Sequence, residues 1–215
     1  MTNSGTCTDK AGNVADSSTV SEINIDKSSP LVNIASPVNE AHYTFHQVVL
    51  ADWTVNSDIS GTQSLDFTTL SGSPIDTSYT GVKSYHVIAT DNSDNNTDNT
   101  VSYTVDPYKY FGPLSPISID SKTFKNTSTI PVKFQLKNVN NDYIGNAVAT
   151  LKIDSTPAIS SGGSNLGNTF RYDISGNQYI YNLSTKMTVL SKGSHTLNIT
   201  LDDGTLPHTQ TILIK

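Results

Sequence analysis

The chain has few of the residues that build covalent or catalytic sites. Cys7 is its only cysteine, so no disulfide can form within the chain and no cage of thiolates can hold a metal ion. Arg171 is its only arginine and no run of lysines occurs, so the sequence lacks the clustered positive charge of a nucleic-acid surface. No apolar run approaches the roughly 20 residues that span a bilayer, and we expect no direct membrane insertion of this segment.

Charge and length bound the class of protein. Charged residues make up 15% of the 215 residues, and the net charge is -6. Compact domains usually hold about 100 to 150 residues, so the length allows one or two domains, and we predict two. An acidic chain of this kind does not bind nucleic acid through its overall charge.

Alternation of apolar and polar residues is the clearest pattern, and no stretch of ten residues shows a helical period. Such alternation is typical of strands with one buried face. Turn sequences such as "SGSP", "SGNQ" and "DDG" separate the runs, which predicts an all-β chain of antiparallel sandwiches. The apolar positions predicted to face a core are Tyr85, Val87, Ala89, Val101, Tyr103, Val105, Ile130, Val132, Phe134, Leu136, Ala147, Ala149, Leu151, Ile153, Phe170, Tyr172, Ile174, Tyr179, Tyr181, Leu183, Leu197, Ile199 and Leu201.

An internal repeat and two proline-rich joints divide the chain. "CTDKAGNVADSSTVSEINID" (residues 7–26) and "ATDNSDNNTDNTVSYTVD" (residues 89–106) share a Thr-Asp pair, a polar turn and a closing Asp. Proline follows each closing Asp, within residues 26–30 and 106–116, and proline stiffens a connection while stopping a sheet ladder. We predict terminal strands of a truncated upstream repeat at 1–27, a sandwich at 28–107 and a second sandwich at 108–215.

The first of these segments raises a question of its own. A lone terminal hairpin is marginal in water, because two strands bury too little surface. Residues 1–26 are therefore expected to lie on an edge of the sandwich that follows, or to pair with a neighbouring molecule by strand addition.

Two segments resemble known families of cell-surface domains. Residues 27–106, with "VVLADWTVNSDISGTQS" and "GVKSYHVIATDNSDNNTDNTVSYTVD", resemble the immunoglobulin-like repeats of bacterial and archaeal surface proteins. Residues 124–215, with "PVKF", "SGGSNLGNTFRYD", "YIYNLSTK" and "GSHTLNITLDDG", resemble the PxKF domain. The resemblance implies tandem immunoglobulin-like sandwiches, an extracellular or surface location, often archaeal, and no established catalytic residue.

Candidate catalytic residues form no recognised constellation in the sequence. His42 and His46 are four apart, but the segment is predicted to be a strand and lacks the Glu of a metalloprotease motif. His86, His195 and His208 have no neighbouring carboxylate cluster, so we expect exposed or locally hydrogen-bonded histidines. Asp202 and Asp203 are interpreted as residues of a hairpin tip. A glycosidase whose two acids are far apart in sequence stays an alternative.

The densest group of oxygen ligands is "DNSDNNTDN" at residues 91–99. Asp91, Asp94 and Asp98 are a candidate calcium site, since calcium binds carboxylate and amide oxygens, although the EF-hand spacing is absent. The alternative is a solvated hairpin loop in which Asn and Asp bond to the local backbone, with no cofactor. Asp58, with Asp26 and Asp106, is a second candidate.

Four sequons could accept N-linked sugar if the chain is exported. Their asparagines are Asn95, Asn126, Asn182 and Asn198. Asn182 and Asn198 alternate with apolar residues of their strands and are predicted to point outward.

Three classes of function remain open. The first is a structural module, a stalk, surface-layer or filament component, whose partners are neighbouring copies of the same protein or other surface components. The second is an adhesion or glycan-binding module, which needs an exposed aromatic platform. Its candidate residues are Trp53, Tyr79, Tyr108, Tyr110 and Phe111, although "VVLADWTV" is predicted to be a central strand with Trp53 in the core. The third is an enzyme.

Overall fold

The computed structural model describes residues 3–15, 18–20, 25–57, 60–118, 122–162, 165–185 and 190–215. Every regular element in these ranges is a strand, which confirms the all-β prediction. None of the described residues belongs to a helix long and apolar enough to cross a membrane.

The strands fall into three groups along the chain. The first is a hairpin of β1 (Asn3–Gly5) and β2 (Ser18–Val20), which pair with each other. The second group is β3 (Leu31–Ser36), β4 (Ala41–Thr44), β5 (Asp52–Asn56), β6 (Thr62–Phe67), β7 (Gly81–Asp91) and β8 (Asn96–Asp106). The third is β9 (Lys109–Phe111), β10 (Lys122–Phe124), β11 (Thr129–Lys137), β12 (Ala149–Ile153), β13 (Thr156–Pro157), β14 (Arg171–Asp173), β15 (Gln178–Ser184), β16 (Gly193–Leu201) and β17 (His208–Ile214).

The second and third groups each form two sheets. In the first sandwich β3 pairs with β5, and the other sheet has the order β4-β8-β7-β6. In the second sandwich the sheets have the orders β10-β17-β16-β12-β13 and β14-β15-β11-β9. The apolar faces of the two sheets in each sandwich meet, so the predicted tandem sandwiches are confirmed.

Two strand pairs depart from the antiparallel prediction. β4 runs parallel to β8, with Ala41 opposite Tyr103, and β10 runs parallel to β17, with Lys122 opposite Ile212. In each sandwich a short early strand thus pairs with the last strand of the group. Periodicity predicts which residues form strands but contains no information on strand direction, which is why this feature was missed.

Alternation predicted the core well where strands are long. Ile130, Val132, Phe134 and Leu136 of β11 are all buried, and so are the apolar positions predicted for β16. Phe134 packs between Tyr179, stacked at 5.0 Å between ring centroids, and Phe170, edge-on at 4.9 Å. The second sandwich therefore has an aromatic centre, built by alternate residues of neighbouring strands.

Two strand predictions were wrong in detail. "VVLADWTV" is not a central strand: β5 begins at Asp52 and, among the described residues, pairs with β3 alone, while Val48 and Leu50 precede it and are exposed. Trp53 still packs against the core, and its indole N–H donates to the backbone oxygen of Thr69 at 3.0 Å. Ile174 is 81% exposed because β14 ends at Asp173 and the turn begins there.

The proline-rich joint after residue 106 contains a strand. β9 lies inside it and pairs with β11, placing Tyr110 opposite Leu136. Tyr108 and Ile117, on either side of β9, are buried. The predicted linker therefore contains a short edge strand of the second sandwich, with a buried apolar side chain on either side of it.

Candidate functional site

The repeated sequence motif forms the same hairpin turn in both copies. In the turn at 9–13, Asp9 N–H donates to the Asn13 backbone oxygen at 3.0 Å, and Gly12 N–H donates to that of Asp9 at 3.1 Å. In the turn at 91–95 the corresponding bonds, Asp91 to Asn95 and Asp94 to Asp91, measure 3.0 and 3.2 Å. The fourth residue has positive φ in each turn, 90° at Gly12 and 64° at Asp94. The turn accordingly has the geometry of a three-residue hairpin loop whose last residue is left-handed.

The side chains at the two ends of each turn also match. Asp9 Oδ1 accepts from Asn13 N–H at 2.9 Å, and Asp91 Oδ1 accepts from Asn95 N–H at 2.9 Å. The Asn13 and Asn95 amides donate to Oδ2 of their aspartates at 2.9 and 3.0 Å. The first residue thus ties the turn together through both carboxylate oxygens.

A third copy occurs where the sequence comparison did not find one. Residues 138–142 follow β11 with Asn and Asp exchanged: Asp142 N–H donates to Asn138 Oδ1 at 2.8 Å, and Asn138 Nδ2 donates to Asp142 Oδ2 at 3.1 Å. Asn141 occupies the left-handed position, with φ 69°. The exchange of Asn and Asp hides the copy from a direct comparison of letters, although the five-residue spacing is kept.

The turn at 91–95 contains two of the three residues of the calcium candidate. Asp91 is fully buried and its carboxylate accepts from the backbone N–H groups of Ser93 and Asn95, which are local side-chain-to-backbone bonds of the kind that the loop alternative expected, while residues 92–94 are exposed. Burial raises the pKa of Asp91, but the hydrogen bonds from Asn95 and Ser93 outweigh it and leave the pKa below its usual range. Asp98 lies on β8 and accepts from Thr100 Oγ1 at 3.0 Å. Among the described residues no group of three or more His, Cys, Asp or Glu side chains could hold a metal ion. Asp58 lies outside them.

The four sequon asparagines differ in how far their amides are occupied. Asn95 Nδ2 donates to the backbone oxygen of Asp26 at 3.3 Å, and Asn198 Nδ2 donates to that of Asp154 at 2.8 Å. Asn126 is exposed in the turn before β11, where its Oδ1 accepts from Thr127 N–H. Asn182 and Asn198 are half-buried and alternate with buried residues, as their strand parity predicted.

Three histidines lie beside single carboxylates that are far away in the sequence, where the local sequence shows no carboxylate cluster. His42 Nδ1 lies 2.8 Å from Asp106 Oδ2, His86 Nε2 lies 3.7 Å from Asp66 Oδ2, and His195 Nδ1 lies 3.0 Å from Asp154 Oδ2. The first two pairs join neighbouring strands of the sheet β4-β8-β7-β6: His42 and Asp106 lie on β4 and β8, and His86 and Asp66 lie on β7 and β6. Strand pairing creates them, so a search of the sequence for local clusters could not find them.

Both ring nitrogens of His195 lie within hydrogen-bond distance of acceptors. Its Nε2 lies 2.9 Å from the backbone oxygen of Ser191, which can only accept, and its Nδ1 faces the Asp154 carboxylate. The bonds to Asp154 and then to Ser191 raise the pKa of His195 above its ordinary value. His195 is 8% exposed, and its hydrogen bond to Asp154 links β16 to the turn at Asp154.

Thr68, His86 and Asp66 have the residue types of a nucleophile, a base and an orienting acid. Thr68 Oγ1 lies 3.1 Å from His86 Nδ1, but the 3.7 Å between His86 and Asp66 exceeds hydrogen-bond length. Thr68 Oγ1 also accepts from the backbone N–H of His86 at 3.0 Å. The three lie on the outer face of the sheet β4-β8-β7-β6, and the group does not have the geometry that activates a hydroxyl.

The junction between the sandwiches is built from backbone and side-chain hydrogen bonds. Asp203 Oδ2 accepts from the backbone N–H of Tyr108 at 2.9 Å, which ties the β16–β17 hairpin to the incoming chain. Thr44 Oγ1, buried at the end of β4, accepts from the backbone N–H of Val139 at 3.0 Å. Phe45 packs edge-on against Tyr108, with ring centroids 5.7 Å apart. A pocket of about 160 Å³ adjoins the junction, and its lining residues are Thr44, Phe45, His46, Gln47, Tyr108, Asn138, Ile144 and Asn146.

The five aromatic residues that were candidates for a binding platform do not form one exposed surface. Tyr108 is buried, Tyr110 stacks on His208 with ring centroids 3.7 Å apart, and Trp53 packs against the core. Burial lowers the pKa of His208 and raises that of Tyr110. Tyr79 and Phe111 are the exposed members of the predicted set, and they belong to different sandwiches.

Comparison with known proteins gives fold-level likeness only. No family model and no curated protein matches the sequence. Among solved structures, domains 4 and 5 of the S-layer protein SbsC are 13% identical, with 97% of this chain and 78% of that chain covered and a TM-score of 0.29. The fibronectin(III)-like modules of Clostridium thermocellum CbhA are 13% identical, covering 86% and 94%, with a TM-score of 0.29. The titin Ig tandem A164-A165 is 12% identical, covering 87% and 99%, with a TM-score of 0.32.

Proposed function

We propose that the chain is a non-catalytic structural module of an extracellular or cell-surface protein, in which two sandwiches held by a bonded junction act as a spacer. More specifically, we propose a stalk, surface-layer or filament component of a prokaryotic and often archaeal surface protein. Two resemblances support this assignment: residues 27–106 resemble surface immunoglobulin-like repeats, and residues 124–215 resemble the PxKF domain.

One observation carries the proposal. Each sandwich bonds the chain segment that enters it through a hairpin at the same end: Asn95 of the β7–β8 hairpin contacts Asp26, and Asp203 of the β16–β17 hairpin contacts Tyr108. A flexible connection would need neither contact, since short polar linkers serve that purpose. Repetition of the contact in both sandwiches favours a function in which the distance between modules matters.

The experiment measures that distance directly. Cys7 is replaced by Ser, and spin labels are placed at cysteines introduced for the exposed residues Thr54 and Lys152, one in each sandwich. We expect a single narrow distribution of label-to-label distances. The double variant Thr44→Val with Asp203→Ala, which removes both junction hydrogen bonds, should broaden it. A distribution that is already broad with the junction intact would overturn the proposal.

A further inference from the structure

The two sandwiches carry opposite net charge. Residues 28–107 contain nine acidic side chains and one basic side chain, a net charge of -8 with histidine neutral. Residues 108–215 contain ten basic and six acidic side chains, a net charge of +4. The overall charge of -6 conceals this division, which is the strongest asymmetry in the composition.

The positive charge of the second sandwich is concentrated on one sheet. The outer side of β14-β15-β11-β9 is hereafter the basic face, and its cations are Lys109, Lys133, Lys137 and Arg171. Lys109 and Lys137 are directly opposite across β9 and β11, and like charges so placed repel. Asp173 lies on the same side of β14 as Arg171, but its carboxylate is bonded within its own turn and strand pair, and among the described residues no carboxylate lies within 4.0 Å of any of these four cations.

The first sandwich has an opposite counterpart. The outer side of β4-β8-β7-β6 is hereafter the acidic face, and its carboxylates are those of Asp66, Asp98 and Asp106. Lys83 is the single lysine of these strands, and it is already bonded to Asp76 at 3.1 Å. This face therefore has negative charge without a lysine or arginine to neutralise it.

The two faces also match in spacing. On the basic face, Arg171 is opposite Ile180, which is opposite Lys133. On the acidic face, Asp66 is opposite Ile88, which is opposite Asp98. Each row places two like charges on either side of a half-buried isoleucine, and because the charges are two strands apart their separation is about 9 to 10 Å in both rows.

We propose that the basic face of one copy binds the acidic face of a second copy, with the row Arg171–Ile180–Lys133 seated on the row Asp66–Ile88–Asp98. Opposite charges then meet at both ends of the rows while the two isoleucines exclude water between them. Phe111 and Tyr143, exposed beside Lys137, extend the apolar contact area of the basic face. The two surfaces differ, so the contact is heterologous and can propagate along a chain of copies.

A second copy fits better than an anionic saccharide. A saccharide would neutralise the basic face but leave the acidic face without a partner, whereas one chain supplies both surfaces with the same spacing. This inference deepens the proposed structural role by naming its partner. It fails separately from that role, because the label-to-label distance is a property of one chain and association a property of many.

The test combines charge reversal with mixing. The molar mass of the full chain is measured by light scattering over a range of concentrations at about 20 mM and about 500 mM sodium chloride. We expect wild-type mass to rise with concentration at low salt, and the apparent Kd to weaken about tenfold or more at high salt. The variant Lys133→Glu with Arg171→Glu, and the variant Asp66→Lys with Asp98→Lys, should each stay monomeric, and an equimolar mixture should associate again.

The controls separate the face from total charge. Lys122→Glu with Lys152→Glu makes the same charge change on the other sheet of the second sandwich and should associate like the wild type. Thermal melting monitored by circular dichroism checks that each variant is folded. The variant Asp66→Lys with Asp98→Lys changes only exposed residues, so it is less prone to misfold than the variant Lys133→Glu with Arg171→Glu. A wild-type chain that stays monomeric at low salt, or mixed variants that do not associate, would overturn the proposal. So would binding of polygalacturonate at the basic face without self-association.

Discussion

The carboxylate of Asp203 accepts a hydrogen bond from the backbone N–H of Tyr108, 95 positions earlier in the chain, at 2.9 Å. The same carboxylate accepts from the N–H and hydroxyl of Thr205, at 3.1 and 2.7 Å, so one buried side chain shapes its own hairpin and holds the junction. Asp was expected here only as a residue of a hairpin tip, and its contact with the incoming chain is what the structure adds.

Replacing Asp203 by Ala should lower the free energy of unfolding of the second sandwich by about 2 kcal/mol, because hydrogen bonds to a charged group are lost and a backbone donor is left unpaired. Asp202→Ala is a matched neighbour, since Asp202 Oδ1 is buried with no hydrogen-bond partner among the described residues. Urea unfolding of both variants measures the difference. Equal losses would show that the tip, rather than the bond to Tyr108, determines stability.

Replacing Asp94 by Gly should stabilise the first sandwich by about 0.5 to 1 kcal/mol, because Asp94 has φ 64° and glycine adopts that conformation without strain. The change restores the glycine that Gly12 supplies in the first copy of the turn.

Replacing Asp91 by Ala should instead destabilise the first sandwich, because three hydrogen bonds to the Asp91 carboxylate are lost. Thermal melts with calcium and with a chelator should superimpose for the wild type; a rise of several degrees with calcium, lost in Asp91→Ala, would favour the metal site.

Stability should be greatest near the ordinary histidine pKa of about 6.5. The pKa of His195 is raised, so above that pH the folded chain binds more protons than the unfolded chain, and stability falls as pH rises through the raised pKa. The pKa of His208 is lowered by burial, so below about pH 6.5 the unfolded chain binds more protons than the folded chain, and stability falls as pH decreases through the lowered pKa. His195→Gln should flatten the alkaline slope and His208→Phe the acidic slope in urea unfolding at several pH values. Unchanged slopes would mean that neither histidine controls the profile.

The sequence predicted the fold to the extent that local pattern determines it. Alternation in β11, β15 and β16 identified buried residues because those strands have seven to nine residues and one fully covered face. It failed at Ile174, where a turn follows a strand of three residues, and at β9, where proline and aromatic residues suggested a linker. Strand direction, the histidine–aspartate pairs and the charge rows depend on which strands become neighbours, and that information is not local.

Replacing Phe134 by Ala should cost about 3 to 5 kcal/mol, because the ring is fully buried between Tyr179 and Phe170 and its removal leaves a cavity. Ile174→Ala is the matched test of the revised core, since the sequence pattern made both residues apolar core positions while the structure exposes Ile174. It should change stability by less than about 0.5 kcal/mol. Comparable losses in the two variants, measured by urea unfolding, would place Ile174 back in the core.

The hairpin of β1 and β2 provides the last prediction. Its strands pair with each other, with Asn3 opposite Val20, and among the described residues they join neither sheet of the following sandwich, so the second arrangement expected for residues 1–26, strand addition to a neighbouring molecule, stays a prediction. The turn at 9–13 has the same hydrogen bonds as the turn at 91–95. However, β7 and β8 are eleven residues long and belong to a four-stranded sheet, whereas β1 and β2 have three residues each.

A two-stranded hairpin is marginal in water, so amides of β1 and β2 should exchange with solvent deuterium far faster than those of β7 and β8 at low protein concentration. Strand addition between copies would instead protect Gly5 and Ser18 progressively as concentration rises. Exchange at those amides that is slow at every concentration would show that β1 and β2 are held within their own chain.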